Sequence, residues 1–364
     1  MKQILQNIFS VKNIDEHKVI TILGLKFKFK NINKILKKQY TRIEELEKQI
    51  QNKVNPLNIE TSLLIDSWRN YGATTELIQR LSYYSNSKTG WDILWNRCFL
   101  IYLSCLIELN KTNDAINILN KYMSKYSEKE FENYMLVADF ALKEGICNSK
   151  IEQTSNIYKK ALQNKIEFPL EKLIIDKSIA IVGNGPSEIG KNKGCEIDAH
   201  DIVIRFNNFH TKNYENDYGK KTDVWVKCTS DDIKHHRSDI NSNTQIIYET
   251  DFIHHELPDN YIEAMDYDIK HHRAYFLGLD EHLDIRNKFY QNPSTGIVIF
   301  SYIYKILGNL KKVDLYGFSC LQEKADSYAS HYYNDRSQIE AINRSSMHNF
   351  KSESEYMRSL IINK

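Results

Sequence analysis

The run from Ser178 to Phe209, SIAIVGNGPSEIGKNKGCEIDAHDIVIRFNNF, restricts the fold more than any other stretch of this chain. An apolar run, Ile179-Ala180-Ile181-Val182, stops at Gly183-Asn184-Gly185-Pro186-Ser187, a turn-forming string through which no strand continues. A second apolar run, Ile202-Val203-Ile204, leads into Arg205-Phe206-Asn207-Asn208. A buried parallel strand that opens into a loop of small residues is how α/β folds bring backbone N–H groups to a phosphate. Glu188 stands where the third glycine of the dinucleotide fingerprint belongs, so the loop is a nucleotide cradle of another kind.

The same alternation runs from Lys172 to Lys364. Short β-branched runs (Val224–Val226, Gln245–Tyr248, Val313–Tyr316) alternate with helical stretches, which predicts an α/β domain over 171–364. Ahead of it, residues 57–170 carry a helical pattern throughout. Trp91–Leu109 and Ala115–Tyr126 flank a capped turn at Lys111–Asp114, and Glu128–Glu144 with Ile151–Leu162 form a second pair. Two successive helical hairpins predict a helical-repeat-like region of tetratricopeptide type, with its signature residues only partly present. Such an array would bind a partner or pack on the next domain, with packing the first expectation.

Residues 1–56 form a third segment. Lys18–Leu23, Gly24 and Leu25–Lys30 predict a two-stranded hairpin, whose second strand alternates apolar and lysine residues. Asn33–Lys53 reads as a connecting helix closed by Pro56. The lysine face has two readings: a surface for anionic lipid, at about 1 kcal/mol per charge, or an edge strand kept soluble by charge.

Composition removes several classes of function. A net charge of +2 argues against a nucleic-acid binder. Twenty-three tyrosines and fifteen phenylalanines against five prolines argue against long disordered regions. Cys98, Cys105, Cys147, Cys195, Cys228 and Cys320 form neither a CxxC pair nor a zinc spacing, so reduced, packed thiols are expected. With no signal peptide and no apolar run of bilayer length, the expected location is the cytoplasm.

Asn292-Pro293-Ser294-Thr295-Gly296 precedes an apolar helix, Ile297–Leu307, and then the strand Lys312–Phe318. Hydroxyls and free N–H groups at the positive end of a helix dipole make an anion site, although an ordinary N-cap has the same composition. His331 and His348 follow, and histidine is the side chain best suited to move a proton near neutral pH. The doublets His235-His236, His254-His255 and His271-His272 match no zinc spacing and are assigned no chemistry. Asp231-Asp232 reads as a solvated turn rather than a metal-binding pair.

Taken in order, these stretches resemble the animal-type sialyltransferase family. GNGPS…EIDAHDIVIRFN at 183–207 is similar to its large sialylmotif, and NPSTGI…VDLYGF at 292–318 to its small one. His331-Tyr332-Tyr333 resembles the third motif, and His348 with Glu353 the very-small motif. The GNGPS loop is also similar to the donor loop of a second, purely bacterial sialyltransferase family, which lacks the Ile-Asp-x-His-Asp segment. The resemblance implies a GT-A-variant, Rossmann-like catalytic domain and a CMP-activated 2-keto-3-deoxy sugar acid as donor, CMP-sialic acid first. It implies donor binding by Asn184, Gly185, Ser187, Asn207, Ser294, Thr295, Gly296, Gly317 and Phe318. His348 would be the general base of an inverting transfer and His331 the group that meets the departing phosphate, with Glu353 orienting His348 or supporting its helix. No metal and no cofactor is implied.

The implied acceptor is a glycan of a surface polysaccharide, capsule or lipooligosaccharide, contacted by loops within 227–286 and 321–346. Where the animal enzymes carry a disulfide, the matching positions are Ile179 and Leu310, which fits a bacterial cytoplasmic form. KVITILGLKFK is similar to the leader of many bacterial glycosyltransferases, so residues 1–170 would meet the inner-membrane surface or another biosynthetic protein. Two other functions stand beside this one: transfer of another CMP-activated ulosonic acid (Kdo or a legionaminic or pseudaminic type), and a helical-repeat scaffold carrying an inactive transferase domain.

Overall fold

A computed structural model describes residues 9–14, 17–22, 25–30, 63–65, 67–68, 71–86, 93–228, 237, 239–249, 259–278, 281, 284–285, 288, 293–318, 331–333 and 350–361. The chain divides into two compact units, Met1–Leu63 and Leu64–Lys364. In the first, β1 (Phe9–Ile14), β2 (His17–Ile22) and β3 (Leu25–Lys30) form an antiparallel three-stranded sheet. The expected hairpin thus gains a strand. Lys12 pairs with Val19 and Val19 with Lys28, so the register puts Lys12, Lys26, Lys28 and Lys30 on one face. Phe9, Val11, Ile20, Ile22, Phe27 and Phe29 share the other. The expected helix over Asn33–Lys53 lies outside the described residues.

The second unit opens with helices: α1 (Thr75–Asn86), α2 (Ile93–Glu108), α3 (Thr112–Met123), α4 (Met135–Lys143), α5 (Ser149–Glu167) and α6 (Leu170–Ile174). The turn before α3 differs from expectation, because its N-cap residue is Lys111 and makes no side-chain cap bond. The expected helix over Glu128–Glu144 is interrupted, with a single 3₁₀ turn at Glu128–Glu130 and α4 starting only at Met135. A properly capped helix is α5, where the Asn148 side-chain Oδ1 accepts the N–H groups of Lys150 and Ile151.

The α/β part has the order β4 (Ile179–Val182), α7 (Gly194–Asp198), β5 (Ile202–Phe206), α8 (Glu215–Tyr218), β6 (Val224–Lys227), β7 (Gln245–Tyr248), α9 (Asp259–His271), β8 (Arg273–Phe276), α10 (Thr295–Leu307), β9 (Val313–Tyr316) and α11 (Phe350–Ile361). Its sheet is six-stranded and parallel, ordered β8-β7-β6-β5-β4-β9. Strands β4 to β7 are buried at every position, which explains their unbroken apolar character. One face packs Ile181, Ile204 and Val226 against Ile297, Phe300 and Ile303 of α10. The other packs Trp225, Ile246 and Phe276 against Ile262 and Met265 of α9.

The helical part closes one edge of this sheet. Ile157 and Ala161 of α5 belong to the α9 cluster, and the buried Asn164 side chain donates to the Ala274 carbonyl of edge strand β8 at 2.9 Å. Capping an edge strand in this way removes a pairing hazard. Strand β8 was not expected. The stretch 227–286, read as acceptor loops, contains β7, α9 and β8 in addition to its connections.

Candidate active site

Chain direction reverses at β4: successive strands build outward from it to β8, and β9 returns to its other side. The carboxyl ends of β4 and β9 are therefore a topological switch point, where open α/β sheets bind their ligands. The first motif's loop follows β4 and the Gly317-Phe318 segment follows β9. Gly183 donates to the Tyr316 carbonyl at 2.7 Å, and Gly185 to the Gly317 carbonyl at 2.8 Å. The backbones approach so closely that a Cβ on Gly183 would stand 2.7 Å from the Gly317 oxygen. Gly317 has φ +69°, and a Cβ there would meet the Gly183 oxygen at 2.2 Å.

Phe318 ties in the second motif. A Cβ on Gly183 would lie 3.3 Å from its ring, and one on Gly296 3.1 Å, so the ring sits between two positions kept bare. Gly296 belongs to the first turn of α10. Ser294 is the N-cap of that helix, and its own carbonyl accepts from Ile297 and Val298. Its N–H and hydroxyl both go to Glu353 of α11, at 2.8 and 2.6 Å. Glu353 is 3% exposed. A buried carboxylate thus complements the positive end of α10. The Thr295 hydroxyl lies 3.5 Å from Glu249, a buried carboxylate just past β7.

Glu188 accounts for the departure from the dinucleotide fingerprint. Its Oε1 accepts the Ser187 hydroxyl at 2.7 Å and the Gly317 N–H at 3.3 Å, bracing the loop after β4 against the one after β9. The Tyr218 hydroxyl donates to the Gly185 carbonyl at 2.6 Å and accepts the Glu188 N–H at 3.2 Å. Burial pushes that phenol well above its ordinary range. Asn184 donates to the Phe206 carbonyl at 3.0 Å, while its Oδ1 is buried and meets no hydrogen-bond partner among the described residues. Asn207, at φ +49°, ends β5. Its N–H goes to the Val226 carbonyl, and its Oδ1 accepts the Cys228 N–H at 2.9 Å.

The third motif clips onto these loops. The Tyr332 N–H donates to the Asn184 carbonyl at 2.8 Å, and its hydroxyl accepts the His210 N–H at 2.8 Å while donating to the His210 carbonyl. Its ring stacks on Tyr218, with centroids 4.1 Å apart. Burial raises the Tyr332 phenol to about 12. His331 is half-buried and stacks on Tyr333. Asn184, Gly185, Ser187, Asn207, Ser294, Thr295, Gly296, Gly317, Phe318, His331 and Glu353 are thus linked through contacts at the carboxyl edge of the sheet. His348 lies outside the described residues, as do Asp231-Asp232 and the doublets at 235–236 and 254–255. His271 stacks on Tyr267 of its own helix.

The Ile-Asp-x-His-Asp segment is at the opposite edge. Asp198 accepts the N–H groups of Lys220 and Lys221 at 3.0 and 2.9 Å, and Asp201 accepts the Ser178 N–H and hydroxyl, both at 2.9 Å. His200 lies 3.1 Å from Asp314. Glu249, Tyr218 and His210 join the site without belonging to the residues expected from sequence. For Glu249 there was a signal, since it directly follows a strand of a parallel sheet. Tyr218 and His210 are recognisable only from contacts.

A family model described as glycosyltransferase family 29 (sialyltransferase) matches residues 119–256 and 259–364. The chain belongs to glycosyltransferase family 29. Among curated proteins, β-galactoside α-2,6-sialyltransferase 2 of Xenopus tropicalis is 46% identical over 47 residues, 13% of this chain and 9% of that protein. Its counterpart in Rattus norvegicus is 44% identical over 50 residues, 14% of this chain and 10% of that one. The matches thus span only a small part of these relatives' length. A solved mammalian sialyltransferase, in complex with Gal-β-1-3GalNAc-ortho-nitrophenol, is 17% identical at a TM-score of 0.41, covering 65% of this chain and 83% of that chain.

In this family 29 chain, Ile179 and Leu310, which stand at the expected disulfide positions, are both buried in one apolar cluster. Among the described residues, no helix is long and apolar enough to cross a membrane. No group of three or more potential metal ligands occurs among them either.

Proposed function

We propose that the protein transfers sialic acid from CMP-sialic acid to a hydroxyl of a glycan, with inversion, on a GT-A-type variant of the nucleotide-binding fold. The observation that carries this reading is the joining of the first three motifs at one switch point in a chain of family 29. Asn184, with its unmatched buried Oδ1, and Asn207 hold the nucleotide beside Gly185, Ser187, Gly317 and Phe318. Thr295 and Gly296 offer N–H groups at the positive end of α10 to the phosphate or the sugar carboxylate. Glu353 fixes Ser294 at the start of that helix.

In the reaction, the acceptor oxygen bonds to the anomeric carbon as the bond to the CMP phosphate breaks. The hydroxyl proton passes to His348, and His331 donates to the departing phosphate. CMP bears one phosphate, so hydrogen bonds and a histidine suffice for the leaving group, and activity should survive a chelator.

The test is CMP release from a panel of CMP-sugars with and without acceptors. The curated relatives are named for β-galactosides, which makes a terminal galactoside the first acceptor to try. Acceptor-dependent release from CMP-sialic acid supports the proposal, and release from another CMP-ulosonic acid alone transfers it to that donor. An inert protein with every donor identifies a scaffold.

A further inference from the structure

We propose that His210 is a positioning residue for His331, acting through the ring of Tyr333. The proposal rests on His331 as the group that meets the leaving phosphate. The Tyr333 ring meets two imidazoles, its centroid 4.5 Å from that of His210 and 5.1 Å from that of His331. The His331–Tyr333 pair is near parallel, at 28°, and the His210–Tyr333 pair is tilted at 43°.

His210 itself has a fixed base. Both its backbone polar groups are held by the hydroxyl of Tyr332, the residue between His331 and Tyr333. Tyr332 is in turn buried on Tyr218 and tied to Asn184. The three-residue segment His331–Tyr333 is therefore held at its centre by the N–H and the hydroxyl of Tyr332, and at one end by a ring contact. Without the His210 ring, Tyr333 loses an imidazole neighbour, and the stacking partner of His331 is less firmly held. An ordered aromatic contact of this kind biases a half-buried rotamer by about twofold to tenfold. A misplacement of about 1 Å at a reacting group is costly to rate but not to ground-state binding.

The experiment compares His210→Ala, His210→Phe and Tyr333→Ala. The main-chain clamp by Tyr332 does not depend on the His210 side chain, so both substitutions at 210 should fold. For His210→Ala we expect kcat to fall about tenfold with KM for the CMP-sugar unchanged. His210→Phe should recover most of the rate, because a ring of similar width restores the stack without titrating. Adding Tyr333→Ala to His210→Ala should cost little further. Full rate in His210→Ala, or equal losses in the Ala and Phe variants, overturns the proposal.

NMR of protein labelled at the histidine ring carbons reads the geometry independently of activity. The His331 ring signals should move in both Ala variants, and unmoved signals overturn the positioning role. A His331→Ala variant with full rate is a separate result, which overturns the leaving-group assignment while the ring signals still report on the stack.

Discussion

The joint between Glu353 and Ser294 yields a prediction whose size follows from its geometry. Glu353 is 3% exposed, and its two oxygens accept an N–H at 2.8 Å and an O–H at 2.6 Å from one residue. A hydrogen bond to a charged group contributes about 1.5–3 kcal/mol, and a carboxylate in the first turn of a helix adds about 0.3–1 kcal/mol. Glu353→Ala removes both bonds and leaves the Ser294 N–H and hydroxyl facing an apolar gap, so the expected loss is about 3–5 kcal/mol. Ser294→Ala removes one bond and strands part of the carboxylate, for about 2 kcal/mol. The double variant should cost clearly less than the sum, with a coupling of about 1.5–2.5 kcal/mol. Urea denaturation of the four proteins supplies the cycle. A coupling below about 0.5 kcal/mol would refute the claim that this pair fixes the start of α10, and Glu353 would then owe its burial to packing alone.

Four further outcomes follow. Gly317→Ala should prevent stable folding or lower Tm by several degrees, because a methyl at φ +69° would meet the Gly183 carbonyl; a wild-type melting curve would contradict the close approach of β4 and β9. Asp139 ties α4 to α5 through Lys143, Ser155 and Lys159; burial raises its carboxyl, but these partners outweigh burial and hold it below the ordinary carboxylate range. A depressed carboxyl stabilises the fold above its unfolded value, and the contribution is lost as pH falls through the folded one. Asp139→Asn should flatten the acid limb of Tm against pH, and an unchanged limb would remove Asp139 from the account. Lys227 and Asp268 form a buried pair at 2.7 Å, so Lys227→Ala should cost about 3–5 kcal/mol, read in the same urea titration, whereas Lys227→Met with Asp268→Leu should recover most of it. If the lysine face of the first unit meets anionic headgroups, Lys26→Glu with Lys28→Glu should abolish sedimentation with phosphatidylglycerol vesicles; binding that persists would exclude that face.

Burial and periodicity explain which elements were legible. Strands β4, β5, β6 and β7 could be read directly because a parallel strand covered on both faces has no polar alternation to disguise it. Strand β8 begins with the exposed Arg273 and is covered at its edge by α5 rather than by another strand, so it carries a weaker run. The break before α4 was hidden because Glu128–Glu144 is helical in composition, while the actual start depends on Phe131 and Tyr134 filling the core. In the site, the small residues were legible since close backbone approach admits little else. Their partners were not. Glu188, Glu249 and Glu353 look like surface carboxylates in sequence, and only the three-dimensional arrangement reveals them as buried.

The long first motif also divides by chemistry in a way its sequence conceals. Its loop after β4 and its Asn207 end lie at the carboxyl edge of the sheet, whereas Asp198, His200 and Asp201 lie at the amino edge, a strand length away. Those three spend their polar atoms on backbone N–H groups, on Ser178 and on Asp314. Asp198 is wedged beneath Gly219, whose φ is +68° and where a Cβ would stand 2.3 Å from the carboxylate. These residues set the register between α7, α8 and the strands. Asp198→Ala should therefore cost about 1 kcal/mol for each hydrogen bond lost. The kcat of the folded enzyme should stay within about twofold of wild type, because well-separated sites add independently. The measurement pairs a urea titration with CMP release well below the unfolding transition. A tenfold loss of kcat at unchanged stability would show that the amino edge acts on the chemistry, and the division of the motif into scaffold and site would have to be abandoned.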